Sequence, residues 1–263
     1  MPDHLLAITG GAGRIATALR PFLRERYRLR LADVREATDL VVPTEEFVQA
    51  DVSDLGAAER VAEGAQAILH LAADPSTVGT WEAVRRMNIE ATYNVFEAAR
   101  RHGVDKVVFA STNHVMGFYY LEQAWPIRTD APIRPDSLYG VSKAFGEALG
   151  RYYADAFGIS IICIRIGWFT TRTPNHPVLN PLWISARDLA QLVSLALETE
   201  RRFGIYNGTS NNPQRHWDLQ SARDELGYAP QDDVSAFSAG DPTDGHGSPY
   251  VEPQEGVLRG VRP

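Results

Sequence analysis

Tyr139 and Lys143 stand four residues apart in Ser137-Leu138-Tyr139-Gly140-Val141-Ser142-Lys143, at the start of a segment with helical periodicity. That spacing puts both side chains on one helix face. A tyrosine with an ordinary pKa of about 10 is a poor base at neutral pH, and nearby positive charge is what favours its phenolate. Lys143 supplies such a charge. Taken alone, the pair also fits an ordinary solvated helix face. A second feature argues for chemistry. The apolar run Lys106-Val107-Val108-Phe109-Ala110-Ser111 ends in Ser111-Thr112-Asn113-His114, and in open α/β sheets ligands bind outside the carboxyl ends of the strands. Ser111 is placed to orient a substrate hydroxyl toward Tyr139. A strand-to-loop turn that caps itself by local hydrogen bonds is the alternative for this cluster.

The N-terminal stretch Thr9-Gly10-Gly11-Ala12-Gly13-Arg14-Ile15-Ala16 contains G-x-G-x-x-A as Gly11, Gly13 and Ala16. Small residues let the backbone approach a pyrophosphate, and the helix that follows points its N–H groups and positive partial charge at it. The motif follows an expected strand and precedes an expected helix. Asp33 then ends the next strand, which is the confirming context for a dinucleotide site. A carboxylate at that position accepts the adenosine ribose hydroxyls and repels a 2′-phosphate, so NAD is favoured over NADP, with Arg14 and Arg35 the nearby cations that bear on the choice. Asp51-Val52, past the third strand, lies where an adenine can rest.

These residues need a scaffold that gathers strand ends. Strands are expected near His4 to Thr9, Arg28 to Asp33, Phe47 to Asp51, Ala67 to Ala72, Lys106 to Ser111 and Ile159 to Ile166. Helical segments alternate with them, the longest at Arg14 to Arg26, Thr80 to His102, Gly140 to Phe157 and Ala186 to Glu200. This alternation predicts an α/β fold: a Rossmann-type doubly wound parallel sheet with a small C-terminal substrate-binding part. The expected organisation is one dinucleotide-binding unit over residues 1–230, with substrate-binding segments at about 167–185 and 204–230. A Gly/Pro-rich irregular tail over 231–263 follows it.

The chain has 263 residues, 44% of them apolar, and a net charge of -7 without a basic run. That balance argues against nucleic acid and anionic membrane as partners. No apolar stretch reaches the roughly 20 residues of a membrane span, and the chain enters a strand without a basic leader, so a soluble, cytoplasmic protein is expected. Cys163 is the single cysteine and sits in an apolar strand, and the seven histidines are scattered. No metal site is implied.

Together these motifs resemble the extended short-chain dehydrogenase/reductase (NAD-dependent epimerase/dehydratase) family. The residues that carry the resemblance are Gly10, Gly13 and Ala16, Asp33, Asp51, His70-Leu71-Ala72-Ala73, Asn88-Ile89 with Thr92 and Asn94, Ser111, and Tyr139 with Lys143. It extends to about Pro230, through Glu225-Leu226-Gly227-Tyr228. Within the family the chain is most similar to the uronate dehydrogenase branch, through Val108 to His114, Pro135 to Glu147 and Arg165-Ile166-Gly167. The resemblance implies NAD-dependent oxidation of a sugar hydroxyl, C1 of glucuronate or galacturonate, to the aldarolactone. Tyr139, Lys143 and Ser111 would be catalytic. Gly10, Gly13, Arg14, Ile15, Asp33, Asp51, Val52, Leu71, Ala72, Ala73, Asn88, Tyr139, Lys143 and Ile166 would hold NAD.

For the sugar, the resemblance implies Ser76, Ser111, Asn113, His114 and Tyr139. It also leads one to expect an arginine for the carboxylate beyond Gly167; the sequence offers Arg172, displaced from the expected place, beside an apolar Trp168-Phe169. A dehydrogenase of a neutral sugar or other polyol is therefore the main alternative. A sugar-nucleotide epimerase or dehydratase is disfavoured by the short C-terminal half, and a non-catalytic NAD-binding protein by the retained Ser111, Tyr139 and Lys143. The resemblance also implies a homodimer, built on the helices at Thr80 to His102 and Gly140 to Phe157.

Overall fold

The computed structural model describes residues 4–36, 45–171, 174, 176 and 178–236. Its frame is a parallel sheet built from β1 (Leu5–Thr9), β2 (Arg28–Asp33), β3 (Glu45–Gln49), β4 (Ala67–His70), β5 (Lys106–Thr112), β6 (Ser160–Ile166) and β9 (Phe203–Gly208). These strands stand in the order β3-β2-β1-β4-β5-β6-β9. The chain reverses direction across the sheet between β1 and β4. Ligand crevices form at such a switch point.

Alternation along the strands divides the core. Leu6 and Ile8 of β1, with Val108, Ile162 and Ile164, pack under α1 (Arg14–Leu23), α7 (Ala186–Glu198) and α8 (Gln220–Leu226). Leu5 and Ala7, with Val107, Phe109, Ile161 and Cys163, pack under α2 (Leu55–Ala62), α4 (Ala91–Arg101) and α6 (Leu138–Phe157). Both faces of a parallel sheet must be covered in this way, which is why its strands are near-continuously apolar. A third cluster of Val115, Met116, Ile127, Leu179, Leu182 and Trp217 lies outside the sheet core. Against it pack Tyr119 and Tyr120 of α5 (Gly117–Leu121) and Trp168 of a two-stranded ribbon of β7 (Trp168–Phe169) and β8 (Trp183–Ile184).

Several details differ from the sequence expectations. The third strand begins at Glu45 and ends at Gln49, because it pairs with β2 from Leu29 opposite Glu45 to Asp33 opposite Gln49; Asp51 therefore lies beyond the strand. The long helix expected from Thr80 is α3 (Trp81–Val84), a π-helical turn over Arg85–Glu90, and then α4. Strand β9 was expected only as part of a substrate-binding segment, yet it completes the sheet against β6.

Helix α6 carries the Tyr-Lys pair and approaches the sheet along small residues. A Cβ at Gly140 would stand 2.4 Å from the His114 carbonyl oxygen, one at Gly146 would stand 2.3 Å from Cζ of Phe109, and one at Gly150 would stand 2.7 Å from a methyl of Ile161. These contacts fix the height of α6 above β5 and β6. Phe109 is fully buried, so its ring has nowhere to withdraw. Gly146→Val is expected to destabilise the fold by about 1–3 kcal/mol, the usual cost of overpacking. Urea unfolding at constant m-value measures this, and an unchanged midpoint would show that α6 is not seated as described.

Candidate functional site

The β1–α1 turn is shaped for close backbone approach. Gly10 adopts φ 69°, a conformation that a side chain disfavours, and a Cβ there would also lie 2.9 Å from the Ala72 nitrogen. The Gly13 N–H closes the turn onto the Gly10 carbonyl at 2.9 Å. No side chain caps α1 at Gly13, which leaves its first-turn N–H groups and positive end for an anion. Opposite stand Leu71 and Ala73, and together they open a cavity of about 450 Å³ that runs on past Ala110, Ser111, Asn113, His114, Tyr139 and Lys143 to Ile166. Its far wall is apolar, with Trp168, Phe169, Leu179 and Leu182.

Ser111, at the carboxyl end of β5, is buried and donates its hydroxyl to Glu147 Oε1 at 2.6 Å. Its proton is thus committed below the cavity floor, and its lone pairs are what remain for a ligand. Glu147 is held in turn by Arg165, through Nε to Oε1 and Nη2 to Oε2, both at 2.8 Å. This pair is almost wholly buried and bidentate, the geometry in which a buried carboxylate is well satisfied. His114 is also buried, and its Nδ1 faces both carboxylate oxygens of Asp136, at 3.0 and 2.9 Å. The His114 and Tyr139 rings meet edge to face with centroids 5.8 Å apart.

Lys143 is 1% exposed. Its Nζ lies 4.8 Å from the centroid of the Phe109 ring and 5.8 Å from that of Tyr139, and the faces of such rings attract a cation. Burial pulls its pKa down from 10.5 to about 7. An amine in that range exchanges its proton near neutrality.

A continuous hydrogen-bonded chain links the glycine turn to α6. Thr9 Oγ1 accepts the Leu71 and Ala72 N–H groups, each at 3.2 Å, so its own proton goes to His70 Nδ1 at 2.7 Å. The other ring nitrogen of His70 then carries the hydrogen and faces Thr92 Oγ1 at 3.3 Å, and Thr92 donates to the Asn88 carbonyl at 2.5 Å. Asn88 Nδ2 donates to the Asp74 carbonyl at 3.1 Å and to Ser142 Oγ at 3.0 Å, and Ser142 donates to the Tyr139 carbonyl at 2.7 Å. His70 stays neutral in this chain: burial, and then the charge of Lys143, lower its pKa to about 3.

Of the residues singled out from sequence, Gly10, Gly13, Arg14, Ile15, Leu71, Ala73, Ser111, Asn113, His114, Tyr139, Lys143 and Ile166 line the one cavity. Others are not among its lining residues. Asp33 accepts the Ala12 N–H at 3.0 Å and the Arg35 N–H at 3.0 Å, bracing the turn. Asp51 is taken up by Ser53 and Arg86, and Val52 by its carbonyl contact with Asn94. Ala72 binds Thr9, Asn88 braces the Asp74 loop, and the Ser76 N–H caps Asp74 at 3.0 Å. Arg172 lies outside the described residues. Sequence reasoning missed Glu147, Arg165 and Asp136 as partners of the site. Glu147 was within reach, since it continues the four-residue spacing of Tyr139 and Lys143 on α6.

With this geometry in hand, the comparisons with known proteins are specific. The profile of the NAD dependent epimerase/dehydratase family matches residues 6–175. The chain is 36% identical to an NAD-dependent glucose-6-phosphate dehydrogenase of Haloferax volcanii, covering 92% of this chain and 99% of that one. It is 39% identical to a uronate dehydrogenase of Pseudomonas syringae, covering 90% and 86%. The fold superposes with TM-score 0.82 on a tyrosine-to-alanine variant of the uronate dehydrogenase from Agrobacterium tumefaciens complexed with NAD, at 34% identity and 92% coverage of each chain.

The buried Lys143 sets a cost that can be measured. Its pKa is near 7 in the folded protein and 10.5 as the ordinary value, so the fold binds fewer protons than the unfolded chain between those limits. Stability therefore rises with pH through that window, and the full penalty stands below pH 7. Lys143→Met is expected to raise the melting temperature, with a gain at pH 6 larger than that at pH 9.5. Calorimetry checks this, and a variant less stable than the parent at pH 6 would contradict it.

Proposed function

From the premise that this chain belongs to the NAD dependent epimerase/dehydratase family, we propose that it oxidises C1 of a hexuronate, glucuronate or galacturonate, to the aldarolactone. Its relatives make it an NAD-dependent dehydrogenase acting on a sugar CH–OH group. The convergence of Ser111, His114, Tyr139 and Lys143 on the cavity that begins at the Gly10–Gly13 turn carries the proposal. The turn and the open first turn of α1 fit a pyrophosphate, and Lys143 and Tyr139 fit a nicotinamide riboside farther along the same cavity. When bound, NAD supplies the acceptor for a hydride.

In this assignment Tyr139 takes the proton of the C1 hydroxyl as the C1 hydrogen departs with its electron pair, leaving a C1 carbonyl that is the lactone carbonyl of a cyclic sugar. Lys143 favours the tyrosinate and passes on its proton. Ser111, whose own proton is held by Glu147, accepts a sugar hydroxyl and sets the substrate's height over β5. Asp136 fixes the His114 ring, so that His114 and Asn113 orient further hydroxyls. Arg172 is assigned to the carboxylate on its place in the sequence. Ile166 and Leu71 bound the cofactor end, and Asp33 offers its remaining lone pairs to the adenosine ribose. Asp51 and Val52 are assigned to the adenine.

A homodimer through α3, α4 and α6 belongs to the same proposal. The exposed Trp81, Tyr93, Tyr152 and Phe157 on these helices support it. One observation favours a second reading: the wall of Trp168, Phe169, Leu179 and Leu182 suits the apolar face of a neutral sugar.

The test is NADH formation with NAD over glucuronate, galacturonate, glucose 6-phosphate and neutral aldoses. Turnover confined to the uronates is the expected result, and preferential turnover of neutral aldoses or the sugar phosphate would overturn the uronate assignment. Tyr139→Phe is expected to lower kcat by about 10²–10⁴-fold, the usual worth of a positioned general base. Stopped-flow or steady-state NADH absorbance measures it, and a loss below tenfold would remove Tyr139 from the proton step.

A further inference from the structure

Three side chains on neighbouring elements decide what the hydroxyl of Ser111 can do. Ser111 of β5 and Arg165 of β6 stand opposite one another in strand register. Glu147 comes from α6, one further four-residue step along the helix face of Tyr139 and Lys143. Arg165 donates to both oxygens of Glu147, at 2.8 Å each. Both side chains are almost wholly buried, and neither lines the cavity. A carboxyl group held by a guanidinium fork on both oxygens is ionised and has no proton to give. The hydrogen in the 2.6 Å contact between Ser111 Oγ and Glu147 Oε1 is therefore the serine's. Ser111 faces the cavity as an acceptor alone.

That rules out one partner. In the proposed reaction the C1 hydroxyl gives its single proton to Tyr139, so it has none for Ser111, and two oxygens that can only accept repel each other. The C1 carbonyl of the product also offers only lone pairs. Beside C1 a cyclic sugar carries the ring oxygen and the C2 hydroxyl, and only the second can donate. We propose that Ser111 reads the C2 hydroxyl, the neighbour of the reacting one, and that Glu147, held by Arg165, is the positioning residue that imposes this by keeping the serine an acceptor. The inference rests on the C1 oxidation assigned above. It makes a free hydroxyl at C2 a requirement of the site, because a sugar without one leaves the buried serine with no donor. The C2 hydroxyl is unchanged as C1 is oxidised, so this bond persists from substrate to product and holds C1 in place through the hydride transfer.

The experiment measures NADH formation by the full chain from glucuronate, glucose and glucose 6-phosphate, each paired with its 2-deoxy analogue. NADH from none of the three hydroxylated sugars would contradict the C1 reading, and the inference with it; the ratio of kcat/KM within a pair tests the inference by itself. The expected ratio is about tenfold in favour of the C2 hydroxyl, the worth of one hydrogen bond. Ser111→Ala should bring that ratio toward one. So should Glu147→Met combined with Arg165→Met, which replaces the buried ion pair by apolar chains and frees the serine to donate. A merely structural role for Glu147 would lower both members of a pair alike. A parent ratio below about threefold, or a ratio unmoved by Ser111→Ala or by the double variant, would overturn the proposal. Should the double variant fail to fold, Glu147→Asp serves instead: its shorter carboxylate keeps the charge opposite Arg165 but withdraws from Ser111, and the ratio should fall by a smaller factor.

Discussion

The hydrogen-bonded chain from Thr9 through His70, Thr92, Asn88 and Ser142 to the Tyr139 carbonyl is the constraint on which the site depends. It crosses from β1 to α6, which are far apart in sequence, and it runs almost entirely through buried groups. An unsatisfied polar group in such surroundings costs more than a formed bond contributes, so each link holds the next in one arrangement. The two-sided use of Thr9 is decisive. By accepting two backbone N–H groups at the start of the β4 loop, it settles which nitrogen of His70 carries the hydrogen, and through that the direction of the bonds beyond it. The result is that the turn shaped for a pyrophosphate and the helix that bears the tyrosine are set at a fixed separation.

Around this chain the protein tolerates charges that a core normally excludes. Lys143 is buried against aromatic rings and pulled down to about 7, while Glu147 and Arg165 satisfy one another beneath Ser111. A paired, bidentate ion pair is a bearable burden, whereas a lone buried ammonium is a net cost. The sheet core supplies the compensating stability through two apolar layers. Chemistry sits where the fold is locally least comfortable, which is the usual sign of a functional site.

Much of this was legible in the sequence, because the relevant signals are local. The glycine turn, Asp33 at the end of β2, the helical spacing of Tyr139 and Lys143, and Ser111 at a strand end are each fixed by a few adjacent residues. The parallel sheet followed from the alternation of apolar runs and periodic segments. What escaped were relations set by long-range packing. Nothing near Asn88 in the chain announces that its amide would brace the Asp74 loop and reach Ser142. Asp51 reads as an open carboxylate until Arg86 is brought against it from the π-helical turn.

The central claim is that the C1 hydrogen of the sugar leaves as hydride to the nicotinamide while Tyr139 takes the hydroxyl proton. Its most direct test follows the fate of deuterium in glucuronate labelled at C1. The account predicts one deuterium at nicotinamide C4 for each lactone formed, on a single face of the ring, with a slowed hydride step in single-turnover measurements. Reduced cofactor without the label, or label lost to solvent while lactone forms, would contradict it.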